Sequence, residues 1–402
     1  MSRFPSVTET FILREMIEME RQGQPVRLVP MLKESPPVVH DAAKPWTDRA
    51  LYTPYASGAI VAANLRALVR RPWRYLSLVV RLVLGTIHKP GTLVRTLAVF
   101  PKSVWLAGKL QDEGLRHVHA HYATHPSTMA LIIAAFSDIT FSFTVHAHDI
   151  QVDRSLLRWK LRETRFVRSI SAFNKRFLEG LYPREAAGKI EVVHVGIEPE
   201  VYEANAERTV TAPAGPPRIL CVAAHKPYKG LPYLIEAARI LHDEGVSFRC
   251  DVVGHGPMHD ELQQMIRERK LDGVFHLAGP RSQDEVATMM AEATLFALPS
   301  IIADDGQMEG IPVALMEALA SARAVVSTSI SGIPELVDDG VNGLLVPPAD
   351  AAALATAIRT LLADPERARE MGRRGQQKVR AEFVLRDCVG QLLDRLAREN
   401  GS

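Results

Sequence analysis

Glu309 and Glu317 stand eight positions apart in the run EGIPVALME, and the residues around them decide what two carboxylates at that spacing could do. Gly310 and Ile311 lead into Pro312, which suits the first position of a helix because its missing N–H would have no partner there. Ala314 through Leu319 are good helix formers. A helix opening here directs unpaired amides and its positive dipole end at whatever lies over Gly310, Ile311, Pro312 and Val313. That is a binding site for a diphosphate. Glu309 would sit just before the helix and Glu317 about a turn inside it, one in reach of a sugar hydroxyl and the other of a ribose diol. An arbitrary pair at this spacing is usually two solvated glutamates, so the weight falls on the flanking sequence.

Upstream, Leu298-Pro299-Ser300 closes an apolar run, and Asp304, Asp305 and Gly306 make a polar loop. Downstream come Ala324–Ser327, then SGIPELV over Ser331–Val337, then Gly343–Val346. Further short apolar runs read as buried strands: Val26–Val29, Phe141–Val145, Ile190–Val195, Ile219–Ala223, Arg249–Val253 and Leu295–Leu298. Amphipathic helical segments alternate with them, including Leu231–Leu241, Met258–Arg269 and Pro312–Ala320. Alternation of this kind predicts α/β architecture with parallel sheets. The Ala-, Pro- and Gly-rich stretch Asn205–Arg218 has little apolar pattern and reads as an interdomain linker. Ser6 and Glu9 have the spacing of a capping box, so a helix is expected to open near Val7.

The order strand, EGIPVALMEALA, strand, SGIPELV, GLLV resembles the donor-binding domain of glycosyltransferase family 4, the retaining GT-B enzymes. Ile219–Gly230 is similar to that family's strand-to-loop segment ending in Lys-Gly, and Lys229 matches its diphosphate-contacting lysine. The family's arginine five residues earlier is Ala224 here, with His225 or Lys226 as the expected replacement. Gly254-His255-Gly256-Pro257 resembles the GxGP turn beneath the nucleotide base. A GxG alone is a weak signal, and the full G-x-G-x-x-G fingerprint of a dinucleotide site is absent, which disfavours a nicotinamide oxidoreductase. In the first half, SVTETFI over Ser6–Ile12 and TVHAHD over Thr144–Asp149 are similar to a subgroup that builds bacterial exopolysaccharides.

The resemblance implies two Rossmann-like domains facing across a cleft. Residues 1–204 would bind the acceptor, 205–217 link, 218–380 hold the donor, and 381–402 form a helix crossing back to the first domain. Lys229 and the Gly310–Val313 amides would hold the diphosphate, with Gly254, Gly256, Gly332, His225 and Lys226 around the donor and Glu317 on the ribose. Glu309 would orient the sugar, and His146 would contact it from the other domain. Glu9, Thr10, His121 and Asp149 are expected on the acceptor side. The family normally supplies a full strand before Ser2–Pro5, so the first sheet is expected to lack a normal central strand unless the chain begins upstream. The paired histidines of His119-Ala120-His121 and His146-Ala147-His148, with Asp149, could suggest a metal cluster. Ordinary cleft or core histidines are the expected reading, and the resemblance implies no protein-bound metal and no cofactor.

The chain has 402 residues, 47% hydrophobic and 23% charged, which excludes a disordered or collagen-like protein and suggests two domains. Cys221, Cys250 and Cys388 are far apart with no CxxC pair, consistent with a reduced, cytoplasmic compartment and no structural zinc built from cysteine. No secretory leader is evident, and the longest apolar stretch, Leu76–Ile87, contains Arg81 and is too short to span a bilayer. Lys plus Arg total 48 against 46 acids, so a strong global field of the kind nucleic-acid binders carry is excluded. The charge is nevertheless segregated. Between Asp48 and Asp112 there is no acid at all, and ten basic residues lie there: Arg49, Arg66, Arg70, Arg71, Arg74, Arg81, Lys89, Arg95, Lys102 and Lys109. Pro72 can open a helix whose Leu76, Val79, Val80 and Val83 form a stripe, with Arg74 and Arg81 on another face and Trp73 and Tyr75 at its edge. This 49–111 segment is expected to dock on anionic lipid.

These readings converge on a retaining sugar transfer from a nucleotide sugar, a UDP-sugar first and a GDP-sugar next, to a hydroxyl of a lipid-linked or growing glycan. The enzyme would be cytoplasmic, peripheral on the inner face of the plasma membrane. A nucleotide-sugar epimerase or hydrolase, or a non-catalytic membrane scaffold with a degenerate donor site, are the alternatives.

Overall fold

A computed structural model of the chain describes residues 1–5, 10–34, 41–208 and 215–400. The backbone separates into two compact units, Met1–Val193 with Val389–Ser402, and His194–Cys388. The divisions thus fall at 193/194 and 388/389, where the sequence placed them at 204 and 380. Residues 200–208, expected to run into the linker, are helical, and Tyr202 is buried with Ile197 in the second unit's core. That burial is why the boundary moves.

In the first unit, β1 (Arg3–Phe4) pairs with β2 (Leu32–Lys33) as a separate parallel pair. The main sheet is parallel, with β3 (His117–His121), β4 (Thr140–Val145), β5 (Val167–Ser169) and β6 (Ile190–Val192) in sequential order. Val26–Val29, expected as a strand, is irregular. Pro25 and Pro30 bracket it, and each removes a backbone donor that a ladder would need. Leu28 O instead accepts from Leu51 N at 2.9 Å. The first long helix is Thr10–Arg21, burying Ile12, Leu13, Met16 and Met19; the expected capping box at Ser6 and Glu9 lies outside the described residues.

The acid-free segment folds into the helices Gly58–Arg70, Pro72–Thr86 and Pro90–Asp112. Pro72 and Pro90 open the latter two. The inward face of Pro72–Thr86 is Leu78, Leu82 and Thr86, so the stripe read from Leu76 and Val80 turns outward and those two side chains are exposed.

The second unit holds β7 (Arg218–Val222), β8 (Arg249–Val253), β9 (Phe275–Gly279), β10 (Leu295–Leu298), β11 (Ala324–Thr328) and β12 (Gly343–Val346). All are parallel, in the order β12-β11-β10-β7-β8-β9. Near-continuous apolar runs such as LFAL suit strands covered on both faces. The helices Leu231–Asp243 and Val313–Ala320 supply part of that cover, each with an apolar stripe in the core. The chain starts at the middle of this sheet, runs outward to β9, then returns to β10 on the other side of β7. Ligands of such sheets bind where the order reverses, beyond the carboxyl ends of the two adjacent central strands.

Candidate active site

The loops that leave β7 and β10 meet at that reversal. Ile301 N donates to Tyr228 O at 2.9 Å. Gly230 has φ +66°, and a Cβ there would lie 1.8 Å from Pro299 O, so only glycine lets the two loops touch. Across this contact, Lys229 Nζ pairs with Glu309 Oε1, both side chains largely buried. Burial works against the lysine's charge, but the Glu309 carboxylate and then Tyr228 outweigh it and hold its pKa above the ordinary value. A protonated ammonium is therefore fixed at the crevice. In β7, burial pushes the Cys221 thiol up to about 12, which removes it as a nucleophile at neutral pH.

The helix Val313–Ala320 opens four residues after Glu309. Pro312 is its N-cap, one position earlier than expected, with φ −67° and ψ 124°. No side chain caps the first turn, so its leading amides are available to a ligand. Gly310 is half-buried and Ile311 buried just ahead of them. Glu317, a turn inside, accepts from Tyr202 Oη at 2.5 Å. Gly332 is buried after β11 as the N-cap of the short helix Ile333–Leu336.

The GxGP turn packs on the β7 loop rather than standing free. Gly254 has φ +139°, and a Cβ there would come within 2.0 Å of Ala223 O; at Gly256 it would meet His225 O at 2.7 Å. His225 N donates to His255 O at 3.1 Å and Met258 N to His225 O at 3.1 Å. The His225 ring is buried, and burial, reinforced by His259 and His255, lowers its pKa to about 4. It is neutral at pH 7, so it does not replace the charge missing at Ala224. Lys226, the other expected replacement, is exposed.

The first unit gathers a second polar cluster. Glu15 lies within the apolar stripe of its helix, paired by Oε2 with Arg168 Nη1 and by Oε1 with His121 Nε2 at 3.3 Å. Burial alone would raise its pKa, but Arg168 and then His121 hold it well below the usual carboxylate range. Arg168 Nε also donates to Val193 O at 2.9 Å. The His146 ring lies against His121, Tyr122 and Phe11, with centroids 5.7, 4.6 and 5.2 Å away. Burial, then His121, pushes its pKa well below the ordinary histidine value, so His146 is a neutral hydrogen-bonding group.

Asp149, expected on the acceptor side, is buried instead. Its Oδ1 accepts from His146 N at 2.8 Å and Ala147 N at 3.1 Å, and its Oδ2 from Ala123 N at 2.6 Å. A carboxylate among three backbone donors fixes the loops after β3 and β4, and so positions His146. His119 bonds Ser142 and Thr144, each at 2.7 Å, as a strand-pairing residue. Thr10 is half-buried at the start of its helix, and Glu9 lies outside the described residues.

Residues 204–378 match the family model described as Glycosyl transferases group 1. They are a glycosyl transferases group 1 domain. Over 214 residues the chain is 39% identical to the amylovoran biosynthesis glycosyltransferase AmsK of Erwinia amylovora, covering 52% of each protein. Over 218 residues it is 41% identical to the putative colanic acid biosynthesis glycosyltransferase WcaL of Escherichia coli K12, covering 53% of this chain and 52% of that one. The chain thus spans about half the length of the curated relatives it matches. The Anabaena protein HepE, solved in complex with UDP and glucose, aligns over 98% of this chain and 96% of its own at 17% identity with a TM-score of 0.65. That likeness shows the fold, two Rossmann-like α/β units of the GT-B class.

Lys229, Glu309, Glu317 and the glycines of the GxGP turn all lie inside this glycosyl transferases group 1 domain. Tyr202 lies just ahead of it and was not singled out in the sequence, because it sits in a polar stretch that runs into the linker. Glu15 and Arg168 were also missed. A carboxylate inside an apolar helical stripe and an arginine inside a buried strand were the available signals.

Proposed function

We propose that the protein is a retaining hexosyltransferase of exopolysaccharide biosynthesis. It would move a sugar from a nucleotide sugar, UDP-linked first and GDP-linked next, to a hydroxyl of a lipid-linked or growing polysaccharide. The observation that carries this reading is the Lys229–Glu309 pair at the sheet reversal, beside the open N-terminus of Val313–Ala320. The similarity to AmsK and WcaL, proteins of amylovoran and colanic acid biosynthesis, supports the biosynthetic class. The UDP bound in the HepE structure supports the donor.

Lys229 and the first-turn amides bind the diphosphate and stabilise the charge that grows on it as the bond to the anomeric carbon breaks. Glu309 orients the sugar through its hydroxyls, and Glu317, held by Tyr202, takes the ribose diol. The acceptor oxygen bonds to the anomeric carbon on the face the diphosphate leaves, and its proton passes to a departing phosphate oxygen. Cys221 offers no nucleophile for a covalent route. The test is incubation with UDP- and GDP-hexoses and a lipid-linked saccharide, with the product's anomeric configuration read by NMR. An inverted product, or donor consumption without any acceptor, would overturn the proposal.

We propose further that the first unit docks peripherally on the cytoplasmic leaflet. Val61, Leu65, Val69, Trp73, Leu76 and Val80 are exposed on the helices that carry Arg66, Arg70 and Arg74, with Arg71 between them. Apolar side chains interleaved with arginines suit the head-group boundary of an anionic membrane. Among the described residues no helix is long and apolar enough to cross one.

A further inference from the structure

Three imidazoles that sugar transfer leaves unused meet beside the crevice. His225 comes from the loop after β7, His255 from the GxGP turn, and His259 from the first residue of the helix His259–Glu268. One ring nitrogen from each lies within 4.8 Å of the other two. The His225 and His259 rings are parallel to within 3°, and their Nδ1 atoms are 3.3 Å apart. Two nitrogens bound to one tetrahedral zinc at 2.0–2.1 Å stand about 3.4 Å apart, so this pair already has the spacing of a chelate.

The backbone holds the frame. His225 N donates to His255 O, Met258 N to His225 O, and His259 N to Gly256 O. Gly256 is what lets the turn close on His225. Within the frame His225 meets His259 through Nδ1 alone, and its Nε2 is buried without a hydrogen-bond partner among the described residues. His255 is exposed, so the cluster is open to solvent on that side.

We propose that His225, His255 and His259 form a binding site for one divalent transition-metal ion of the zinc type. Imidazole donors suit zinc, copper and nickel rather than magnesium or calcium. The ion would tie the loop that carries Lys229 to the GxGP turn, bracing the donor side without touching substrate. This goes beyond the transfer reading and stands or falls independently of it.

The test uses tag-free, chelator-treated, full-length protein. Zinc is titrated by calorimetry, and cobalt(II) is followed through its visible absorption. One ion per chain is expected, with cobalt bands of tetrahedral intensity. His255→Ala and His259→Ala should each weaken zinc binding by more than about tenfold, while their metal-free melting temperatures stay near that of the parent. Zinc affinity and stoichiometry unchanged in the His255→Ala/His259→Ala double variant would overturn the site, as would no saturable binding to the parent.

Discussion

Lys229 and Glu309 neutralise each other inside a largely buried contact, and under the proposed function both would also meet the donor. Lys229→Ala removes the ammonium and leaves Glu309 buried without it. We expect kcat for transfer to fall by at least about a hundredfold, and Glu309→Ala to do likewise; initial rates near the parent in both would refute the assignment. Glu15 makes a separate, structural prediction. Its folded pKa is depressed by Arg168 and His121, so its contribution is present above the unfolded value of about 4.5 and is lost as pH falls through the folded value. Urea midpoints should therefore drop on acidification below about pH 4.5, and Glu15→Gln should flatten that limb. Arg168→Met strands the Glu15 carboxylate and should cost about 3–5 kcal/mol, read from the same urea curves at pH 7.

Loops and turns set the site only because particular backbones can touch. At Gly230 and Gly254 the positive φ and the contact with Pro299 O or Ala223 O exclude a side chain. Alanine at either position should lower stability by about 1–3 kcal/mol in thermal melts and weaken nucleotide binding with it. A Gly245→Ala control, where φ is also positive but nothing lies within 4 Å, separates the contact from the backbone conformation. Element boundaries were legible wherever apolar runs and turn residues agreed. Arg249–Val253 and Leu295–Leu298 read the same in sequence and structure. Val26–Val29 is apolar like a strand yet irregular, because Pro25 and Pro30 on either side lack the N–H groups a ladder needs.

The near-neutral total of 48 basic against 46 acidic residues hides a polarised surface. Of the ten basic residues between Asp48 and Asp112, Arg49 pairs with Glu20, Lys89 with Asp153 and Lys109 with Glu113. Lys102 is buried with Nζ on Met31 O, its pKa pushed down to about 8 by burial. Arg81 lies over the Trp159 ring, 5.6 Å from its centroid. Arg66, Arg70, Arg71, Arg74 and Arg95 are left for a partner, among the described residues. Each near-surface cation contributes about 1 kcal/mol to binding an anionic leaflet. The protein should co-sediment with phosphatidylserine-containing vesicles and not with neutral ones at about 0.1 M salt. Replacing Arg70, Arg71 and Arg74 by Gln together should weaken that binding by roughly a hundredfold. Equal, negligible pelleting with both vesicles would end the membrane proposal.

Patterns between near neighbours were enough to give the alternation of strands and helices, the EGIPVALME helix start, Lys229 before Gly230 and the acid-free segment. Helix and strand periods, turn chemistry and charge runs are properties of short windows of chain. Pairings across long separations required the fold. Glu317 with Tyr202, Glu15 with Arg168, and His225 with His259 are joined by topology and loop approach. The tertiary structure also reinforces protonation: burial among imidazoles takes His225 further from its charged form, and the Glu309 carboxylate holds Lys229 in its charged form. Burial and a charged neighbour widen the difference that residue type already sets between these two basic side chains of one loop.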